Sequence, residues 1–363
     1  MPAIDAIDVA CYEIPTDSPE ADGTLAWDST TWVVVEIRAG DQSGTGYTYA
    51  DRATAELIRS HLSKRLIGAN PIDTPARWIT LTRHIRGSGR PGVSSMAISA
   101  VDVALWDLKG KLLKTSVLNL LGAAREEIEA YGSGGFTSYT DDQLRNQFSN
   151  WAKEGIRAVK MKIGTHPDQD LHRVQVARDA IGPNVRLFVD ANGAYSRKQA
   201  LDFAERFRDL DVVWFEEPVS SDDLDGLRLL RDRAPAGMDI AAGEYGYDAF
   251  YFRRMLQHQA VDVMQADGTR CGGVTGFLFA AGVVEGFGYP LSAHTAPSLH
   301  AHVACAIPRA SNVEYFHDHA RIESRFLEGA IIARNGMLRP DRSRPGFGWE
   351  VRRKDVESHR VNF

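Results

Sequence analysis

Six charged side chains close six successive strand-like runs, one apiece, and this regularity constrains the fold more than any other feature of the chain. The runs occupy 158–163, 186–192, 212–218, 239–244, 261–267 and 289–294, and carry Lys162, Asp190, Glu216, Glu244, Asp267 and His294 at or near their ends. Each interval has the length of one strand, one helix and two loops. In a barrel of alternating strands and helices the strand ends converge on one mouth. Residues far apart in sequence would then share a single pocket. Three carboxylates, a lysine and a histidine with an aspartate point to a metal-assisted proton-transfer site.

Strand-like runs at 129–136 and 312–316 extend the alternation to eight, with helical patterns between them such as 141–154, 169–181, 197–210 and 273–286. The pattern predicts an α/β fold, a (β/α) barrel over 126–325, its interior filled by the aliphatic residues of the strands. Residues 1–125 do not alternate. Strand-like runs at 4–14, 32–38 and 44–50 precede helical patterns at 54–67, 73–84 and 93–113, as in an α+β capping domain. The polar segment 16–30 reads as a solvated connection or a lid. The tail 326–363, with RPGFGWEV at 344–351, is expected to return and complete the capping domain.

A net charge of −6 leaves no basic footprint, so nucleic acid is not an expected partner. The three cysteines, Cys11, Cys271 and Cys305, fit neither zinc spacing nor a disulfide framework and read as buried free thiols. The N-terminal residues carry Asp5 and Asp8 without a basic segment before an apolar run, unlike a signal peptide. No apolar stretch is long enough to span a membrane. A soluble, cytoplasmic protein is expected.

Lys160 and Lys162 are two apart on a strand and face the same way. Buried lysines are rare without a partner or a task. A neighbouring positive charge and a cation would depress the Lys162 ammonium and let it act as a base. Asp190, Glu216 and Glu244 converge from neighbouring strands and would repel unless a cation sits among them. Hard oxygen ligands select Mg²⁺, with Mn²⁺ as the alternative. Glu217 should face away and support the site, whereas Asn192 shares the face of Asp190 and is a candidate ligand contact. Asp267 would orient His294 and favour its protonated form. Glu314, on the eighth strand, either donates a hydrogen bond as a neutral acid or forms a salt bridge. The other ten histidines, among them His61, His166 and His302, read as structural.

The ordered set AISAVDVALWDLKGK, VKMKIG, VDAN, WFEEP, AAGE, ADGTRCGGVTG, SAH and NVEYF resembles the enolase superfamily, and within it the mandelate racemase subgroup. The resemblance spans essentially the whole chain and implies an enzyme. It implies one Mg²⁺ on Asp190, Glu216 and Glu244, which binds a substrate carboxylate and stabilises an enediolate. It implies Lys162 as base on one face and His294, backed by Asp267, as acid or base on the other. Lys160 would neutralise the carboxylate and Glu314 hydrogen-bond it. The implied reaction is dehydration of a sugar acid to a 2-keto-3-deoxy acid, with racemisation or epimerisation of an α-substituted carboxylate as the alternative. The segment 16–30, with Asp17, Glu20, Asp22, Trp27 and Asp28, matches a loop that closes over substrate, where its acids and indole would suit a polyol. Arg86 and Arg90 are candidates for binding a second carboxylate. A homo-oligomer, such as an octamer, is implied as well.

Overall fold

In the computed structural model, which describes residues 1–363, the chain opens with three antiparallel strands, β1 (Ala6–Ala21), β2 (Ala26–Ala39) and β3 (Gln42–Tyr49). Val33, Val35 and Ile37 alternate on one face of β2 and are buried against Ile98, Val101 and Leu105 of the helix Val93–Leu112. Eight parallel strands follow: β4 (Ile128–Gly134), β5 (Ala158–Lys162), β6 (Arg186–Asp190), β7 (Val212–Glu216), β8 (Asp239–Ala242), β9 (Val263–Ala266), β10 (Leu291–Ala293) and β11 (Ala310–Phe316). They pair in sequence order, and β11 closes the barrel on β4, with Glu314 opposite Tyr131. Helices cover the outside. Two begin in capping boxes, Thr140 with Gln143 and Ser196 with Gln199, each satisfying backbone N–H groups of the first turn.

The barrel interior differs from the sequence expectation. The aliphatic strand residues, such as Val159, Leu187, Val189 and Ile240, face outward into the main core. The interior cluster is Tyr131, Phe188 and Trp214 with Ala158, Ala241 and Val263. Phe188 and Trp214 stack with ring centroids 4.9 Å apart. A few large rings fill a space whose remaining volume is taken by polar side chains, so the aliphatic positions are left to the helix-packing face.

The segment 16–30 is not a loop. It continues β1 and β2 as a hairpin, turning at residues 22–25, where Asp22 Oδ1 accepts from the backbone N–H groups of Thr24 and Leu25 at 2.7 Å each. Its tip docks on the barrel: Thr137 N donates to Ala21 O (2.8 Å) and Thr165 Oγ1 to Asp22 O. At Gly23 a Cβ would stand 2.3 Å from Ala191 O, so only glycine allows this approach. Partners from the barrel, absent from any local window, satisfy the hairpin's polar groups.

The tail folds back. Leu327–Glu328 pairs with Glu350–Val351, Trp349 Nε1 donates to Thr45 O (3.1 Å), and Phe347 N donates to Asp107 Oδ1 (2.8 Å). No helix is long and apolar enough to cross a membrane. All three cysteines are free and buried.

Candidate active site

Strand alternation explains most of the mouth. Lys160, Phe188 and Trp214 are register partners inside the barrel, and two residues later Lys162, Asp190 and Glu216 align in the same way. Glu244 falls out of this phase, because Ala241 already occupies the interior of β8. Gly243 corrects it: its φ of 137° turns the chain, and a Cβ there would lie 2.1 Å from Gln265 O. The turn delivers Glu244 to the mouth.

Asp190, Glu216 and Glu244 are buried and offer ligand oxygens within 4.8 Å of one another. Asp190 Oδ2 accepts from Lys162 Nζ at 2.6 Å and its Oδ1 from Asn192 N at 2.9 Å. Glu216 accepts from Lys160 Nζ (2.5 Å) and Trp214 Nε1 (2.9 Å). Glu244 Oε2, Asn192 Oδ1 and Glu217 Oε1 are buried without a hydrogen-bond donor. Burial, reinforced by Asp190, pushes Glu216 up to about 8. Glu217 rises well above the carboxylate range by burial and by the repulsion of Glu244, Asp190 and Glu216. Crowded hard oxygens, some unpartnered, match the donor set of a divalent cation such as Mg²⁺.

Two charge states at the mouth are set by neighbouring groups. Burial is the largest influence on Lys162 and would lower it, but Asp190, Glu244 and Glu314 together outweigh it and hold the ammonium charged. A cation on Asp190 would draw that attraction away. Burial alone would raise Glu314, yet Lys160, 2.8 Å away, and His294 bring it down to about 2. Glu314 is therefore an ionised salt-bridge partner, not a neutral donor.

His294 Nδ1 lies 2.8 Å from Asp267 Oδ2, and its Nε2 lies 3.2 Å from Glu244 Oε2, out of hydrogen-bond alignment. Burial opposes the imidazolium, but Glu244, Glu314 and Asp267 outweigh it and raise His294 to about 9. Asp267 also accepts from Thr269 N (2.6 Å) and Thr269 Oγ1 (2.7 Å), which fixes the carboxylate.

Lys162, Asn192, Glu244, His294 and Glu314 line a cavity of about 630 Å³, which the hairpin roofs with Leu25 and Trp27. The Trp27 N–H is committed to Glu20 Oε2 (2.8 Å), so Trp27 presents its ring to the cavity. Of Asp17, Glu20, Asp22 and Asp28, only Asp22 reaches the cavity; the expected row of hydroxyl-binding acids is not formed. Arg86 and Arg90 do not reach it either. Arg90 packs over Trp78, 5.2 Å from its ring, and lies 3.9 Å from Asp248.

Three residues at the mouth escaped the sequence reading. Arg270, three positions after Asp267, contacts Glu244 Oε1 at 3.1 Å and Asp267 Oδ2 at 3.6 Å. Its place in the ADGTR run, just past a strand end, was the available signal. His300 accepts from Gly268 N at 2.7 Å through Nε2 and bonds Thr295 O at 2.7 Å through Nδ1, bracing the loop of Asp267. His319, five residues past Glu314, stacks on Tyr49 with centroids 3.4 Å apart and lines the cavity.

Comparison with known proteins agrees with this geometry. Residues 6–122 match the mandelate racemase / muconate lactonizing enzyme N-terminal domain, and residues 143–356 match the enolase C-terminal domain-like model. D-galactarolactone cycloisomerase from Agrobacterium fabrum is 30% identical over 99% of each chain. The crystal structure of a mandelate racemase/muconate lactonizing enzyme-like protein from Rubrobacter xylanophilus superposes with a TM-score of 0.97 at 47% identity, covering 99% of this chain and 100% of that one. L-talarate dehydratase from Polaromonas sp. JS666, solved with Mg and L-glucarate, superposes with a TM-score of 0.90 at 30% identity, covering 100% and 98%.

Proposed function

The chain belongs to the mandelate racemase / muconate lactonizing enzyme family of the enolase superfamily, and from that premise we propose that it dehydrates a sugar acid to a 2-keto-3-deoxy acid. The observation that carries this reading is one cavity flanked by Lys162 and by the Asp267–His294 pair, with Asp190, Glu216 and Glu244 beside them.

Asp190, Glu216 and Glu244 would hold Mg²⁺, which when bound would supply Lewis-acid stabilisation of the charge that develops on the substrate carboxylate. Lys162, as the free amine, takes the proton from the carbon next to that carboxylate. Lys160 adds a fixed positive charge beside the same oxygens. His294 donates its proton to the hydroxyl on the following carbon, which leaves as water. The enol that remains tautomerises to the 2-keto acid. Asp267 holds His294 in the orientation and charge state that this donation needs. Asn192 and the ring of Trp27 line the cavity and contact the rest of the chain of carbons.

Members of the family named as dehydratases and cycloisomerases share this architecture, and the cycloisomerase match over the full chain supports a second reading, lactone isomerisation. Incubation with a panel of sugar acids and sugar-acid lactones in Mg²⁺, followed by colorimetric detection of 2-keto acid, separates the two. Keto-acid formation from an open-chain acid supports dehydration. Turnover of lactones alone, or racemisation with no keto acid, rejects it.

A further inference from the structure

Outside the cavity, a second set of ligating side chains joins the hairpin to the barrel. Strand β1 loses register with β2 between Pro15 and Glu20. Asp17 and Glu20 are three apart, and on a regular strand would face opposite sides. The irregular stretch brings both carboxylates to one spot, where His317, three residues past Glu314, meets them. The three side chains offer ligand atoms within 4.8 Å of one another. His317 Nε2 is 2.9 Å from Asp17 Oδ2.

Glu20 supplies the independent observation. It is 1% exposed, its Oε2 is taken by Trp27, and its Oε1 is buried with no hydrogen-bond partner. A buried carboxylate oxygen left without a donor is unfavourable. Arg321 offsets it only in small part, its guanidinium being bound to Asp318 and Pro15 O. Burial, then the nearby Asp318, pushes Glu20 up to about 8.

We propose that Asp17, Glu20 and His317 form a divalent-cation site, distinct from that of Asp190, Glu216 and Glu244, which ties the hairpin to the end of β11. One imidazole and two carboxylates favour Mn²⁺ or Zn²⁺ over Mg²⁺. Because Glu20 also holds the indole of Trp27, an ion here fixes the roof of the cavity.

The test titrates the full-length protein with Mn²⁺ in saturating Mg²⁺ and reads bound Mn²⁺ by electron paramagnetic resonance. The expected result is one bound Mn²⁺ per chain showing coupling to an imidazole nitrogen. His317→Gln and Asp17→Asn should each weaken it at least tenfold, with unchanged melting in the absence of Mn²⁺. Asp17 is exposed, so its variant folds regardless. Glu216→Gln should keep this ion, which separates the site from the one proposed for catalysis. Absence of bound Mn²⁺, indifference to both hairpin-site variants, or loss of the ion in Glu216→Gln would overturn the proposal. The Asp17–His317 contact would then be a simple ion pair beside a protonated Glu20.

Discussion

His294 Nδ1 and Asp267 Oδ2 lie 2.8 Å apart in a buried pair that bridges two neighbouring barrel strands. The short contact orients the ring and, with Glu244 and Glu314, favours its protonated form. Asp267→Asn keeps the shape and removes the charge. The proposed acid step should slow by on the order of 10²–10⁴, with kcat and kcat/KM falling together. Steady-state kinetics checks this; a raised KM with unchanged kcat would reduce Asp267 to a pocket wall.

Lys162 and His294 approach the cavity from strands that are not neighbours, β5 and the end of β10. Each should therefore exchange the α-proton of a different stereoisomer. Lys162→Ala and His294→Asn are expected to lose different exchange reactions in D₂O, followed by proton NMR. Loss of the same reaction in both would contradict two-sided access.

Glu216→Gln removes one ligand charge from the buried triad. Mg²⁺ should raise the melting temperature of the parent protein, and the variant should lose that shift together with turnover. A ligand at 100 times its Kd stabilises by about 2.7 kcal/mol. Full activity in excess chelator would reject a metal role for the triad.

Gly23→Ala would set a Cβ 2.3 Å from Ala191 O and lift the hairpin from the barrel. Displacing the cavity roof should lower kcat/KM by on the order of 10–10² and expose residues 16–30 to limited proteolysis. Unchanged proteolysis with unchanged kinetics would mean that the hairpin's seat is not needed.

Glu323 accepts from Tyr47 Oη (2.7 Å) and Ser298 N (2.9 Å) in the core, and burial raises it to about 7. For an acid raised on folding, the native state holds the proton longer than the unfolded chain. Stability should fall as pH rises from the ordinary carboxylate range through about 7, and the loss is complete above that. Urea midpoints at pH 5 and pH 8 should differ less in Glu323→Gln than in the parent. Equal differences would show that Glu323 is not the group responsible.

Much of the mouth was legible from local spacing. Two-residue alternation and the convergence of strand ends suffice to place Lys160, Lys162, Asp190, Glu216, Asp267, His294 and Glu314, because each property repeats within a few residues of chain. Glu244 was found at a strand end, but its inward direction depends on the turn at Gly243, against the backbone of β9. The hairpin at 16–30 looked like a loop because the groups that satisfy it, Thr137 and Thr165, come from the barrel more than a hundred residues away. Arg270 and His319 carried no periodic signal.

Charge states were decided by tertiary structure alone. Lys162 is held protonated by Asp190 with Glu244 and Glu314, and Glu314 is held ionised by Lys160 and His294. The sequence by itself determined the barrel and which side chains end its strands, since strand period and helix length are properties of neighbouring residues. Where Glu244 points, what roofs the cavity and which groups carry charge depend on burial and on contacts between distant strands, and these exist only once the barrel has closed.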